Sequence, residues 1–289
     1  MSANQFGTVA IIGVGLIGAS LGLALKNAKA VTQVIGVGRS TKNLEDALKM
    51  GAIDQICSLD EAVQKSQWIV LCAPVAQMRD LFSKIEPHLM SSTLITDAGS
   101  TKSDVILAAK ETLGKKVCQF IPAHPIAGGA QHGALAAKAD LFQGKQTILC
   151  PLQENSANDI SLAEAFWKTV GSSVKRISAV QHDAIYAAVS HLPHILSYAL
   201  MASVLNSDDA QQKLGHAGAG FRDFTRIAAS SPEMWRDICL ANKQAILKEL
   251  DQYLSITQHL REMIAQGDGQ SLEKVFQRAS EARQRWEES

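Results

Sequence analysis

Over the first 180 residues, hydrophobic positions fall in short runs rich in β-branched residues, separated by longer stretches with helical spacing. The runs are Val9–Ile12, Val34–Val37, Ile69–Leu71, Leu94–Thr96, Gln119–Ile121, Thr147–Cys150 and Val174–Ile177. Most are apolar at nearly every position. That pattern suits strands with both faces covered, as in a parallel sheet. Helix starts are legible between them. Ser58-Leu-Asp-Glu61, for example, has the hydroxyl and the acid of a capping box. Alternating strand and helix predicts an α/β chain with a doubly wound sheet.

After Ile177 no further strand stands out. Ser178-Ala-Val-Gln181 fits a second capping box and opens an apolar-rich segment reaching about Leu205. A polar stretch from Asn206 to Gly220 follows. Ser231-Pro232-Glu233 then offers an N-cap, a proline at the first helical position and an acid in the first turn. The helix it starts runs to about Ala265 with room for a break, Gly267-Asp-Gly269 forms a loop, and Ser271 to Trp286 is a last charged helix. The reading is therefore a first domain over residues 1–178 and an all-helical C-terminal domain over 179–289. No repeat or Pro- or Gly-rich linker separates the halves, so the expected site lies in the cleft between them.

Composition narrows the function classes. Of 289 residues, 46% are hydrophobic and 19% charged, the balance of a packed globular chain. Lys+Arg and Asp+Glu number 28 each, so net charge offers nucleic acid no attraction, and 5% aromatics supply few stacking platforms. No apolar run reaches the roughly 18 residues that cross a bilayer, and no membrane partner is expected. The opening Met1-Ser-Ala-Asn-Gln-Phe-Gly7 lacks the charged region of a secretory signal. Five cysteines, at 57, 72, 118, 150 and 239, have neither disulfide-framework nor zinc-site spacing. No metal is expected, and a reducing cytoplasm is the expected compartment.

The sharpest local signal is Gly13-Val-Gly15-Leu16-Ile17-Gly18, between the first strand and the first helix. Gly13 allows the tight turn, Gly15 lets backbone approach a pyrophosphate, and Gly18 lets helix pack on strand. The helix N-terminus adds amides and partial positive charge. The N-terminal half is thus a Rossmann-type, dinucleotide-binding sheet. An NAD site carries an acid at the end of the second strand. Here that end reads Gly38-Arg39-Ser40-Thr41-Lys42. A guanidinium beside two hydroxyls suits a 2′-phosphate, which favours NADP, with NAD the lesser choice. Ser40 or Thr41 can equally cap the next helix.

Further segments stand at strand ends or in the helical half. Cys72-Ala73-Pro74-Val75 and Asp97-Ala-Gly99-Ser100-Thr-Lys102 follow two central strands, and His124-Pro-Ile-Ala-Gly128 follows the next. Ser190-His191-Leu-Pro-His194, Phe221-Arg-Asp-Phe-Thr-Arg226 and Met234-Trp235 lie beyond. In series, over nearly the whole chain, these motifs resemble the prephenate/arogenate dehydrogenase family of tyrosine biosynthesis.

The resemblance implies oxidative decarboxylation of a cyclohexadienol with NAD or NADP as hydride acceptor, and a homodimer through the helical domain. It implies that His124 is the base for the ring hydroxyl and that Ser100 orients that hydroxyl and the histidine. Arg226 would bind a substrate carboxylate, and His191, His194 and Trp235 would line the substrate pocket. Cys72, Ala73, Pro74, Gly99 and Ser100 join the glycine loop, Arg39, Ser40 and Thr41 as expected cofactor contacts. Neither a chorismate mutase segment nor a regulatory tyrosine-binding domain is expected.

Histidine titrates near neutrality and arginine forks a carboxylate, so the residue types suit the chemistry. The same residues also have plainer readings: His191 and His194 as core histidines, Arg226 as a surface ion pair, Trp235 as packing. Arg222 is the alternative carboxylate partner. His88, His132, His182 and His216 read as ordinary polar residues. Gln181 or Asp183 is the candidate reader of an amino group, which leans slightly to arogenate. The rival readings are a β-hydroxyacid dehydrogenase or imine reductase, and a non-catalytic NADP-sensing module.

Overall fold

The computed structural model describes residues 4–129 and 131–287. Six parallel strands form the main sheet: β1 (Thr8–Ile12), β2 (Gln33–Val37), β3 (Gln55–Ile56), β4 (Trp68–Leu71), β5 (Leu94–Asp97) and β6 (Phe120–Ile121). Their order is 3-2-1-4-5-6, the dinucleotide-binding arrangement, with its switch point between β1 and β4. Helices α1 (Leu16–Asn27), α2 (Thr41–Lys49), α3 (Leu59–Lys65), α4 (Met78–Ile85) and α5 (Ser103–Leu113) make the crossovers.

Successive strand residues serve two cores. Val9, Ile11, Trp68 and Val70 enter one with Leu21 and Leu25 of α1. Ala10, Ile12, Ile69 and Leu71 enter the other with Phe82 of α4 and Val105 of α5. Covering both faces is what makes these runs apolar throughout.

Two expected strands leave this sheet. β7 (Ala123–Pro125) pairs antiparallel with β8 (Gln146–Leu149), and β8 pairs parallel with β9 (Ser173–Arg176). Neither β7 nor β3 is announced by the sequence: three and two residues are too few to show a period, and Pro125 argues against a strand. Between β8 and β9, α6 (Ala157–Thr169) brings Phe166 and Trp167 onto the sheet. Phe166 stacks on Trp68 at 4.7 Å and meets Phe6 edge-on at 5.1 Å.

The remaining elements are helical: α7 (Ala179–Tyr186), a π turn (Ala187–His191), α8 (Leu192–Leu205), α9 (Ala210–Gly215), α10 (Ala219–Thr225), α11 (Pro232–Ala241), α12 (Lys243–Gln266) and α13 (Gly269–Glu287). Both capping signals operate. Ser178 and Gln181 form a reciprocal box, and Ser231 accepts the Met234 amide. The break in the segment after Ser231 falls at Asn242. Pro193 explains the wide turn. It has no N–H to continue the helix and its ring crowds the preceding turn, so the backbone opens before α8.

As one stretch, Ala179–Leu205 is long and apolar enough by length and composition to cross a membrane, although polar residues such as His182, Asp183 and His194 interrupt its apolar runs. It carries His182, Asp183 and His191 buried inside the protein, while most of its apolar side chains, Val189 and Leu205 among them, are not buried within the single chain. By compactness, the chain through Lys243 is one unit, and residues 244–289, essentially α12 and α13, are a second. The second unit exposes Leu254, Ile264 and Phe276.

Phe166 is the expected keystone of the aromatic cluster. Phe166→Ala should cost about 3–5 kcal/mol of unfolding free energy. Urea denaturation of the two proteins measures it, and a loss below 1 kcal/mol would show that the cluster repacks.

Candidate active site

Three strand ends lie in register across the centre of the sheet: Ile12 of β1 opposite Leu71 of β4, and Leu71 opposite Asp97 of β5. The glycine loop, the Cys72-Ala-Pro turn and the Asp97–Lys102 loop therefore emerge side by side. Gly13 has φ +97°, and a Cβ there would collide with the Cys72 carbonyl. A Cβ on Gly18 would strike the Gly13 carbonyl and Ile11, so this glycine serves helix–strand packing. Gly15 has nothing within 4 Å of where its Cβ would be. It faces open groove, as a pyrophosphate contact requires.

The groove has two parts that share Gly15, Cys72, Ala73 and Pro74. The outer one, about 670 Å³, is lined also by Gly13, Gly38, Arg39, Ser40, Asn43 and Lys84. The inner one, about 380 Å³, adds Leu16, Ile17, Gly99, Ser100, His124, His132, Ser231, Met234 and Ile238. Eleven of the thirteen expected cofactor residues thus line one groove; Gly18 and Thr41 are not among its lining residues. Thr41 begins α2, and Ser40 both lines the groove and accepts the Asn43 amide at 3.3 Å. Asn43 also ties the glycine loop to the loop after His124: its amide group donates to the Val14 carbonyl and accepts from Ala134 N.

At the inner end, β7 presents His124. Its Nδ1 is 2.8 Å from His182 Nε2, and His182 Nδ1 is 2.8 Å from Asp183 Oδ1. A carboxylate only accepts, so His182 carries its proton on Nδ1 and has a bare Nε2. His124 then donates from Nδ1, which leaves its own Nε2 as the free lone pair. Asp183 is fully engaged. Oδ1 accepts the Lys102 amide at 2.9 Å and Oδ2 the Ser103 amide at 2.8 Å.

Burial, then the neighbouring His182, Lys102 and His191, hold the His124 imidazolium well below the usual histidine range. Burial also lowers His182, partly offset by Asp183. Burial opposes ionisation of Asp183, yet bonds from His182, Ser103 and Lys102 outweigh it and keep the carboxyl low. At neutral pH His124 is a neutral imidazole backed by a histidine and a carboxylate. Burial, then the Asp97 carboxylate, push the Cys72 thiol far up and so favour its protonated form.

Two readings need correction. His182 is no ordinary polar residue, since it sits fully buried against the proposed base. The sequence signal was there: His182 and Asp183 share the buried stripe of Tyr186 and Ala187, where unpaired polar side chains are costly. The expectation that Gln181 or Asp183 reads the substrate is not met. The Gln181 side chain is exposed and accepts the Ser178 amide and hydroxyl, while Asp183 is consumed by Lys102, Ser103 and His182.

His194 stacks on Trp235 at 3.7 Å and donates from Nδ1 to the Ser190 carbonyl at 2.9 Å. His191 meets Trp235 edge-on at 6.0 Å and lies 3.2 Å from the Asn242 amide nitrogen, which also donates to the Asp183 carbonyl. These residues are not among those lining the inner cleft; they adjoin it through α11, whose Ser231, Met234 and Ile238 do line it. The Trp235 indole N–H is buried without an acceptor among the described residues. Arg226 is exposed, outside the lining set, and its charge reaches His194. No cluster of three or more metal-ligating side chains occurs among the described residues.

Comparisons with known proteins agree on one family. Residues 21–176 match the model described as the prephenate dehydrogenase nucleotide-binding domain, and 178–278 the prephenate dehydrogenase dimerization domain. The chain is 33% identical over 284 residues to the cyclohexadienyl dehydrogenase of Zymomonas mobilis, covering 96% of this chain and 95% of that one. It superimposes on a crystal structure of prephenate dehydrogenase from A. aeolicus in complex with hydroxyphenyl propionate and NAD⁺, with TM-score 0.91 and 29% identity over 98% and 99% of the two chains. The Synechocystis arogenate dehydrogenase structure gives TM-score 0.80 and 26% identity over 96% and 99%.

The buried histidines set an acid limit on stability. The His191 imidazole is held down at about 4, from an ordinary 6.5, chiefly by burial. A histidine with a depressed folded pKa contributes fully above its unfolded pKa and loses that contribution as pH falls toward the folded one. The thermal midpoint should therefore drop between pH 6.5 and 4, and His191→Asn should flatten part of that slope. Calorimetry across the range checks this; a level midpoint in the wild type would mean that these histidines protonate freely in the fold.

Proposed function

Because the chain belongs to the prephenate dehydrogenase family, we propose that this oxidoreductase of tyrosine biosynthesis oxidatively decarboxylates arogenate and prephenate, to tyrosine and 4-hydroxyphenylpyruvate, with NADP⁺ as acceptor. The observation that carries the reading is His124, with its bare Nε2, sharing the inner cleft with Ser100 at the end of a glycine-loop groove. A bound nicotinamide supplies the acceptor for the hydride that leaves C4 of the ring. Ser100 orients the C4 hydroxyl, and His124 Nε2 takes its proton. The bond from His124 Nδ1 to His182, itself held by Asp183, steadies the imidazolium so formed. Loss of the ring carboxylate is driven by aromatisation, and α11 keeps water from the cleft with Met234 and Ile238.

Although none of them lines the inner cleft, Arg226 takes a substrate carboxylate from beside it, with His191, His194 and Trp235 packed behind α11; the unpartnered indole N–H of Trp235 supports this role. Among the described residues of the inner cleft there is no Asp or Glu to select an ammonium group, which supports use of both side chains. Arg39 and Ser40 in the outer cleft support NADP⁺, since among the described residues no acid lines the groove for a free ribose hydroxyl. Residues 1–178 serve the nucleotide, and 179–289 the substrate and a homodimer. The name of the matched dimerization domain and the exposed Leu205, Ile264 and Phe276 support the second role. Five free cysteines suit a reducing cytoplasm.

Steady-state kinetics with arogenate and prephenate, each with NADP⁺ and NAD⁺, test the whole reading; a protein inactive in all four assays overturns it. Arg39→Ala should weaken NADP⁺ roughly tenfold to a hundredfold, the worth of a charge-assisted bond at about 1.5–3 kcal/mol, and leave NAD⁺ nearly unchanged. Equal losses for both would remove Arg39 from the 2′-phosphate. His124→Asn should lower kcat by about 10²–10⁴ while substrate and cofactor binding stay within a few-fold. A raised KM at unchanged kcat would make His124 a binding residue instead.

A further inference from the structure

Beneath the inner cleft lies an ion pair that the reaction scheme does not use. Lys102 and Asp97 are both fully buried, and the Lys102 ammonium is bonded to Asp97 Oδ2. Lys102 also donates to the Ala123 carbonyl at 2.8 Å. Asp97 accepts the Ala123 amide on Oδ1 and the Gly99 amide on Oδ2, each at 2.9 Å. Both peptide groups of Ala123, the residue before His124, are therefore held by this pair. So is the turn that carries Ser100.

We propose that Lys102 and Asp97 are positioning residues for the base: a buried clamp that fixes the loop bearing Ser100 against the strand bearing His124. The proposal rests on His124 being the base. Its geometry is a closed circuit. His124 bonds His182, His182 bonds Asp183, Asp183 holds the Lys102 backbone, and the Lys102 side chain returns to Ala123, next to His124. No member shifts without breaking a bond, and Ser100 is fixed from both sides, by Gly99 and by Lys102.

Stability alone does not explain the pair. Desolvating two charges costs about as much as their attraction returns, and apolar residues of similar volume often serve as well or better. What an apolar pair cannot do is hold the amide and the carbonyl of Ala123 together. The groups facing His124 are His182 and Tyr186 of α7, His191 of the π turn, Lys102 of the loop, and His132 in the same cleft, with Asp183 behind His182 and Asp97, at the end of β5, behind Lys102. Of these, Lys102 is the cation of the buried ion pair, and with burial and His182 it disfavours the protonated imidazole. The clamp thus sets both the place and the proton-accepting form of the base.

Three variants separate these contributions: Lys102→Met, Lys102→Gln, and the neutral pair Asp97→Asn with Lys102→Met. Each is followed by thermal midpoint, by kcat and KM, and by NMR titration of the histidine rings in the cofactor-free protein, which needs no turnover. Lys102→Met should lower kcat at least about tenfold, because a misplaced group costs up to about 10²-fold. It should also move the His124 titration to higher pH, since the cation is gone and Asp97 is left unpaired. Lys102→Gln keeps a donor for Ala123 and should recover part of kcat but not the titration. The double variant should regain the thermal midpoint and bring the titration back toward wild type while kcat stays low. If Lys102→Met does not fold, the double variant carries the test. A folded variant with wild-type kcat and an unmoved His124 titration overturns the proposal. Inactivity of the wild type on both substrates would overturn the assigned reaction instead, leaving the NMR result to judge the clamp.

Discussion

One buried carboxylate organises the inner end of the groove. Asp183 accepts two backbone amides at the start of α5 and the Nδ1 proton of His182. It sits on α7, in the helical part of the chain, yet its partners belong to a loop of the parallel sheet. A buried anion must find its hydrogen bonds or be expelled. Satisfying Asp183 therefore docks the first helix after residue 178 onto the sheet at one register. The same bonds fix the His182 tautomer and, through it, which nitrogen of His124 is bare. Docking and the tautomers of both histidines are consequences of one set of contacts.

The sheet supplies the second constraint. Because β1, β4 and β5 are parallel and their last residues are in register, three loops leave the same edge within reach of one ligand. The first two lie close by necessity: Gly13 has no room for a Cβ beside the Cys72 carbonyl of the neighbouring turn, nor Gly18 beside the Gly13 carbonyl. The third is narrow because charged groups tie it down, with Asp97 and Lys102 closing the turn around Ser100. The nucleotide end and the chemical end of the groove are thus shaped by different physics, steric exclusion at one and buried electrostatics at the other.

Pro193 links the helical part to this arrangement. The π turn that precedes it shifts the phase of the long helix, so that His182 and His191 are both buried although nine residues apart. Asn242, at the end of α11, then bonds the Asp183 carbonyl and meets His191, which anchors the wall formed by Ser231, Met234 and Ile238.

What the sequence determined by itself was whatever depends on local pattern. The doubly wound sheet is legible because runs buried on both faces must be apolar throughout, and the capping boxes at Ser58 and Ser178 because a cap is made within four residues. The glycine loop is legible because steric freedom belongs to the residue type. Tertiary structure alone decided what depends on distant partners. It placed the strands at 147 and 174 in a second sheet with the short β7, which no period announces. It turned His182 from a polar residue into the support of His124, 58 positions away, and took Asp183 from the substrate by giving it to Lys102 and Ser103. Local pattern reports which side chains are buried, whereas a hydrogen bond between remote residues exists only once the chain has folded around it.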